Sequence, residues 1–255
     1  MKLKFMKYEG AGNDFILLDG RDSDFQTPNT QTIERLCHRR FGIGADGLMI
    51  LGAGGKEGVD FSMLFYNSDG LPGSMCGNGG RCIAMYAEEL GVGSAAKSFD
   101  APDGLHSAVV DKGVGVVHLG MSDVTALHRV DDGWFLDTGS PHLVVVDEGF
   151  DIVRARRLRQ TYDSNINFIT VEGSEITIRT FERGVEDETW ACGTGSVASA
   201  IVAAHLDGAL GHCAYAVKAR GGDLSVSFER EGDDKCRGVV LSGGATCVFS
   251  GEVEV

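Results

Sequence analysis

The chain has 255 residues, 43% of them hydrophobic and 24% charged, and a formal net charge of −14. That length is enough for two modest domains or one large one, with the composition of an ordinary globular protein. The acidic balance argues against nonspecific binding to nucleic acid or an anionic membrane, but leaves room for a small anion held by local N–H groups and arginines.

In chain order, the N-terminal Met1-Lys2-Leu3-Lys4-Phe5-Met6-Lys7 has lysine at every second or third position and no apolar core. It does not read as a signal peptide, and no stretch approaches the ~20 apolar residues of a membrane span, so a cytoplasmic location is expected. Phe15 to Asp19 reads as a short strand after a glycine turn. Thr30 to Phe41 fits an amphipathic helix with Ile33, Leu36 and Cys37 on one face. Phe61 to Asn67 reads as a strand leading to the Ser68-Asp69-Gly70 turn, and Gly79 to Leu90 as a first central helix. Ala108-Val109-Val110 and Val114 to Leu119 read as a hairpin turning at Asp111-Lys112-Gly113. The polar, weakly patterned stretch from Asp123 to Gly133 marks a boundary.

The second half repeats this order. Leu143 to Asp147 is an expected strand, Val153 to Tyr162 a helix, and Asn167 to Val171 and Glu175 to Glu182 two further strands. A second central helix runs from about Gly195 to Leu206 and is apolar nearly all round, so it should be buried. Ala214 to Ala219 and Leu224 to Phe228 flank Gly221-Gly222-Asp223 as a hairpin, and residues 246–255 alternate as a terminal strand. The expected fold class is α/β (α+β): two related halves, each a helix wrapped by sheet.

Two cysteines carry the chemistry. Cys76 opens Cys76-Gly77-Asn78-Gly79-Gly80-Arg81, and Cys192 opens Cys192-Gly193-Thr194-Gly195-Ser196. At an offset of 116, Gly77 meets Gly193, Gly79 meets Gly195, Ala84 meets Ala200, Ala87 meets Ala203 and Leu90 meets Leu206; upstream, Phe65 meets Phe181. A sulfur at a helix start has its thiolate favoured by the unpartnered N–H groups there. The same N–H groups, made approachable by glycine, can hold a carboxylate. Two such units could bracket one small anion, one thiolate removing a proton and the opposite thiol returning one, which is the chemistry of a racemase or epimerase without a cofactor. The plainer alternative is a pair of buried structural cysteines beside tight turns.

The seven cysteines are odd in number and none form C-x-x-C, so reduced thiols are the simplest reading. A zinc site from Cys76, Cys82, Cys192 and a histidine would have ligand spacing unlike the usual pairs, and no metal is expected. Gly42-Ile43-Gly44-Ala45-Asp46-Gly47 matches a dinucleotide fingerprint in letters but follows a helix and precedes a strand, the reverse of the required order. Arg156-Arg157 reads as a solvated helix face rather than a nucleic-acid contact.

Seven stretches in order resemble the diaminopimelate epimerase family. They are Gly10-Ala11-Gly12-Asn13-Asp14-Phe15, Arg40 to Gly47, Phe65-Tyr66-Asn67-Ser68-Asp69-Gly70, Met75 to Arg81, Gly139-Ser140-Pro141-His142, Asn165-Ile166-Asn167-Phe168, and Glu182-Arg183-Gly184 leading to Ala191–Gly195. The resemblance implies two pseudo-symmetric domains, each a curled mixed sheet around a central helix, with the active site in the cleft between them. The expected domains are residues 1–120, joined by a returning strand at 248–255, and residues 121–247. It also implies interconversion of LL- and meso-diaminopimelate without pyridoxal phosphate or any other cofactor, for lysine and cell-wall precursor synthesis.

Carried over by position, Cys76 and Cys192 are the acid/base thiols. Asn13, Asn67, Asn165 and Arg183 match substrate-holding positions, and Gly77-Asn78 and Gly193-Thr194 match the turns that hold a carboxylate. His142 and Glu182 match residues that adjust the thiols; on chemistry alone, Glu182 suits either holding the substrate ammonium or polarising Cys192. Taken singly, Asn13 and Asn67 read equally as turn residues, Glu182 and Arg183 as a solvated strand end, and His142 as satisfying a backbone carbonyl. Ser140 stands where the family most often has asparagine, so one contact to the distal end of the substrate is expected to weaken or pass through water. The expected partner is the small-molecule substrate, with neither nucleic acid nor membrane; a homodimer is one assembly the resemblance allows.

Overall fold

The computed structural model describes residues 2–146, 149–232 and 235–255. In chain order its first elements are β1 (Lys2–Gly10), β2 (Asn13–Asp19), α1 (Thr30–Cys37), β3 (Gly47–Ala53), β4 (Phe61–Asn67), α2 (Gly77–Glu89), β5 (Ala96–Ala101), β6 (Gly104–Asp111) and β7 (Val116–Gly120). Then come β8 (His128–Val130), β9 (Gly133–Asp137), β10 (Pro141–Val146), α3 (Ile152–Tyr162), β11 (Asn165–Glu172), β12 (Glu175–Glu182) and β13 (Asp187–Glu188). The last are α4 (Gly193–Leu206), β14 (Gly211–Ala219), β15 (Gly222–Arg230), β16 (Cys236–Gly244) and β17 (Thr246–Glu254). The chain divides into two compact units, one of Met1–Leu119 with Gly244–Val255 and one of Gly120–Gly243.

In the first unit the strands run β17-β1-β2-β3-β4-β5-β6-β7; β2–β3 and β4–β5 are parallel and the other neighbours antiparallel. Helix α2 packs on β1, β2, β3 and β6 and is buried from Gly77 to Ala87. On the opposite face of the sheet, α1 contributes Ile33, Leu36 and Cys37 to a cluster with Ile16, Leu18, Leu48 and Ile50. Both faces are therefore covered, which is why β2 and β3 read as continuous apolar runs rather than alternations. The β1–β2 hairpin turns on Ala11 and Gly12, with φ of 53° and 87°. That mirror-image turn matches the strand twist and sets Asn13 opposite Gly10.

In the second unit the order is β8-β9-β10-β11-β12-β14-β15-β16, with β10–β11 and β12–β14 parallel and the other neighbours antiparallel. Helix α4 touches β9, β10, β11, β12, β14 and β15, so sheet surrounds it and its apolar residues on every side find partners. Helix α3, capped by Asp151 accepting from Val153 and Arg154 N–H, covers the other face with Ala155 and Leu158 against Leu143, Val145, Ile166, Phe168 and Phe181. The two units repeat one topology: β1 answers β9, β2 β10, α1 α3, β3 β11, β4 β12, α2 α4, β5 β14, β6 β15 and β7 β16. Two mixed α/β sheets, each around a central helix, are thus the architecture.

Several expectations are corrected in detail. Helix α1 stops at Cys37 instead of Phe41, because the chain folds back so that Ile43 and Gly44 N–H both bond the Leu36 carbonyl and Ala45 N–H bonds that of Cys37. The 42–47 glycine string is this return. The first hairpin pairs Asp111 with Val116, so its turn lies at 112–115 and Val114 is an exposed turn residue. Phe65 and Phe181 are not equivalent: Tyr66 pairs with Leu48 as Phe181 pairs with Ile166, and both of those face the outer helix. Phe65 points to the opposite face, since one residue of slip reverses every side chain of a strand. The expected strand 143–147 is observed as Pro141–Val146; Asp147 lies outside the described residues, as does Met1. Strands β1, β5, β8, β9, β13 and β16 were not anticipated.

Candidate active site

Cys76 and Cys192 each immediately precede a central helix in extended conformation, with φ/ψ of −116°/125° and −121°/115°. Neither side chain caps its own helix. The first intrahelical bonds run from Gly80 N–H to the Cys76 carbonyl at 2.7 Å and from Ser196 N–H to that of Cys192 at 2.9 Å. The N–H groups of Gly77, Asn78 and Gly79, and of Gly193, Thr194 and Gly195, therefore lie in the first turn, where no intrahelical acceptor exists. Each helix start combines a sulfur with a small positive cradle.

In the first unit Asn13, Gly77 and Asn78 come together. Asn78 Nδ2 donates to Asn13 Oδ1 at 2.6 Å, and Asn13 Nδ2 donates to Asp46 at 2.9 Å. Beneath them lies Arg81, fully buried, which donates to Asn78 Oδ1 at 2.9 Å and to the Gly77 carbonyl at 3.3 Å. Burial lowers the Arg81 pKa, opposed by Cys82, Cys76 and Glu9 nearby. Asp46 and Asp14 are braced by Arg39, at 2.6 and 2.7 Å, and Asp14 also by Lys7 at 2.7 Å. Burial alone would raise the Asp14 carboxyl, but Arg39 and Lys7 together hold it below the usual range. Asn67 ends β4 and is exposed, and its N–H bonds the Leu71 carbonyl. Cys82, the zinc alternative's neighbour of Cys76, is fully enclosed, and burial raises its pKa.

In the second unit Cys192, Thr194, His142, Ser140, Asn165 and Arg183 form one connected set. Thr194 Oγ1 is 3.4 Å from Cys192 Sγ and 2.9 Å from His142 Nε2. Ser140 Oγ lies 3.0 Å from His142 Nε2 and 3.2 Å from Thr194 Oγ1, and accepts from Asn165 Nδ2 at 3.3 Å. Asn165 Oδ1 accepts from Arg183 N–H at 2.9 Å, while the Arg183 guanidinium reaches the Asp163 carbonyl and carboxylate at 3.2 and 3.3 Å. Asp163 is presented there by its left-handed conformation at the end of α3. His142 is fully buried, and burial, aided by the Arg183 charge, pushes its pKa down to about 3; it is neutral at physiological pH. Glu182 closes β12, its carbonyl accepting from Glu186 N–H. Ser140 therefore has a role of its own: its hydroxyl is joined to the group beside Cys192. Arg81 and Asn167 were not anticipated as site residues. Both stand in the resembling stretches, but nothing in local composition announces that they are buried.

A family model described as diaminopimelate epimerase matches residues 5–125 and 134–248. A diaminopimelate epimerase from Flavobacterium psychrophilum is 41% identical over 97% of this chain and 98% of its own length; one from Chlorobaculum tepidum is 38% identical over 96% and 98%. The chain belongs to the diaminopimelate epimerase family. As a member of it, the protein is an isomerase, and the family's reaction places it in lysine biosynthesis. Solved structures share the fold at low identity. A phenazine biosynthesis protein of the PhzF family from Bacillus anthracis superposes with a TM-score of 0.72 at 14% identity over 100% of both chains. A probable proline racemase from Agrobacterium radiobacter gives 0.68 at 12% identity, over 99% of this chain and 92% of that one. Among the described residues, no helix is long and apolar enough to cross a membrane.

Proposed function

We propose that this protein epimerises LL-diaminopimelate to meso-diaminopimelate with no cofactor, Cys76 and Cys192 serving as the two bases. Family membership supports the substrate. The observation that carries the mechanism is the duplication of one arrangement, a cysteine at the start of a buried central helix followed by Gly-x-Gly, with nearly the same backbone angles in both units.

In this mechanism one sulfur, as thiolate, takes the α-proton: the C–H bond breaks, an S–H bond forms, and the electron pair passes onto the substrate carboxylate. First-turn N–H groups aimed at that carboxylate stabilise the added negative charge where it develops. The opposite thiol then gives its proton to the other face of the carbon and becomes the thiolate, so charge and proton count are restored. Asn13, Asn78, Asn67, Asn165, Glu182 and Arg183 are the proposed holders of the substrate's carboxylates and ammonium groups, reading both donors and acceptors.

Incubating the purified protein with LL-diaminopimelate in deuterated water tests this. The expected result is meso product with solvent deuterium at the α-carbon, and loss of turnover in both Cys76→Ser and Cys192→Ser. Isomerisation surviving either substitution would refute the two-thiol mechanism. Labelling of proline or hydroxyproline, but not of diaminopimelate, would refute the substrate.

A further inference from the structure

Beneath the start of α4 lies a buried polar pair, Asn167 and His142, both without solvent exposure. The orientation of the Asn167 amide is decided by its neighbours. Its Oδ1 accepts from Thr180 Oγ1 at 2.9 Å, and its Nδ2 faces the Leu143 carbonyl at 3.3 Å and His142 Nδ1 at 3.0 Å. A carbonyl can only accept, so the NH2 end must point to Leu143 and to the ring. His142 Nδ1 is then an acceptor, and the neutral ring carries its proton on Nε2. That Nε2–H faces Thr194 Oγ1 and Ser140 Oγ. Among the described residues, Ser140, itself accepting from Asn165, has Thr194 Oγ1 as the acceptor within reach of its own proton. With donors filling its lone pairs, the Thr194 hydroxyl has one direction left for its proton, the Cys192 sulfur at 3.4 Å. A hydrogen bond donated to sulfur favours the thiolate. The charged side chains on the adjoining strand end are Glu182 and Arg183, and Arg183 bears on His142.

The first unit shows that packing does not require this pair. Phe15 pairs with Gly47 as His142 pairs with Asn165, and Met49 and Asn167 each follow two residues later on their strands. A side chain placed at Gly79 would meet Met49, and one at Gly195 would meet the Asn167 amide. Where α2 rests on Phe15 and Met49, α4 rests on an imidazole and an amide, groups that are costly to bury without a purpose.

The geometry points to Asn167 as a positioning residue. By donating to His142 Nδ1 it fixes the Nε2–H tautomer, and through Thr194 that tautomer turns a hydroxyl proton onto the Cys192 sulfur. The counterparts Phe15 and Met49 carry no polar group, so this relay belongs to the second unit. The inference rests on the reading of Cys192 as an acid/base thiol, but its test does not require turnover.

Histidine-labelled protein, with the His142 signals assigned from a His142→Gln variant, should show by nitrogen NMR a neutral ring protonated at Nε2. In Asn167→Asp, whose carboxylate accepts and cannot donate, the proton should move to Nδ1. Alkylation by iodoacetamide, followed peptide by peptide against pH, should place the Cys192 midpoint about one to two pH units higher in Asn167→Asp and Thr194→Val. Thr194→Ser should restore it, and the Cys76 midpoint should stay in place throughout. A wild-type His142 protonated at Nδ1, or an unmoved Cys192 midpoint in folded Thr194→Val, would overturn the proposal. Should Asn167→Asp fail to fold, the wild-type tautomer and the Thr194 pair still decide. Failure to epimerise diaminopimelate would count against the proposed function and leave these readouts intact.

Discussion

His142 links the site to stability through a single proton. Its ordinary pKa is 6.5 and the folded value about 3, so between these the unfolded chain takes up a proton that the native chain refuses. The contribution of the neutral ring is complete above about pH 6.5 and declines toward pH 3, by up to about 1.4 kcal/mol per pH unit. Urea midpoints measured at about pH 5 and about pH 7 should therefore differ more in the wild type than in His142→Gln. Arg81 acts through geometry. Its removal as Arg81→Met takes away the guanidinium bonds to Asn78 Oδ1 and to the Gly77 carbonyl, and is expected to lower stability by about 2–4 kcal/mol in denaturant unfolding. The cysteines were legible in the sequence because a sulfur followed by two spaced glycines is unusual and occurs twice. Arg81 was not, because the same glycine-rich turn suits an arginine in water as well as one sealed under a helix. Ser140 was read as a weakened substrate contact, since a sequence does not reveal that its hydroxyl turns toward His142.

Among the elements, the two helix starts invite a paired test. Alanine in place of a helical glycine favours the helix by about 1 kcal/mol, yet a Cβ at either position meets a neighbour. At Gly79 that neighbour is the flexible end of Met49; at Gly195 it is the Asn167 amide, held by Thr180, Leu143 and His142. Gly79→Ala should stay within about 1 kcal/mol of the wild type, whereas Gly195→Ala should cost about 1–3 kcal/mol in urea unfolding. Strands β4 and β12 and helix α4 were readable because their apolar patterns persist over many residues. Strand β1 is hard to read because lysines interrupt its apolar residues and Lys7 is itself buried, which breaks the inside–outside alternation. Strand β8 lies in polar sequence with little burial of its own and is defined by pairing to β9; the apolar run of β9, Trp134-Phe135-Leu136, is only three residues long and is set by pairing to β10. The end of α1 depends on the fold-back at 42–45, a tertiary contact that helical periodicity does not encode.

For the molecule as a whole, internal repetition was legible first in the helices and is fullest in the sheet order, where each neighbour relation recurs with the same direction. The offset of 116 describes the helices but misaligns β4 and β12, because connections between strands differ in length while pairing is conserved by hydrogen bonding. Strand β17 pairs along nearly all of β1, from Lys2 opposite Glu254 to Glu9 opposite Thr246, and Phe249 sets its ring edge-on to Phe5 at 5.8 Å. Truncation after Ala245 is expected to expose the β1 edge and the Leu3–Phe5 side of the core, lowering the thermal midpoint and quickening protease cleavage within the first unit. An unchanged midpoint would show that β17 is only appended.

Because β17 comes last in the chain yet lies beside β1, the second unit is in effect spliced into the first. A nascent chain leaving the ribosome has every strand of the second unit in hand while the first sheet still lacks its flank. The first unit can finish only when β17 emerges, so β1 waits for a partner made after the whole of the second unit.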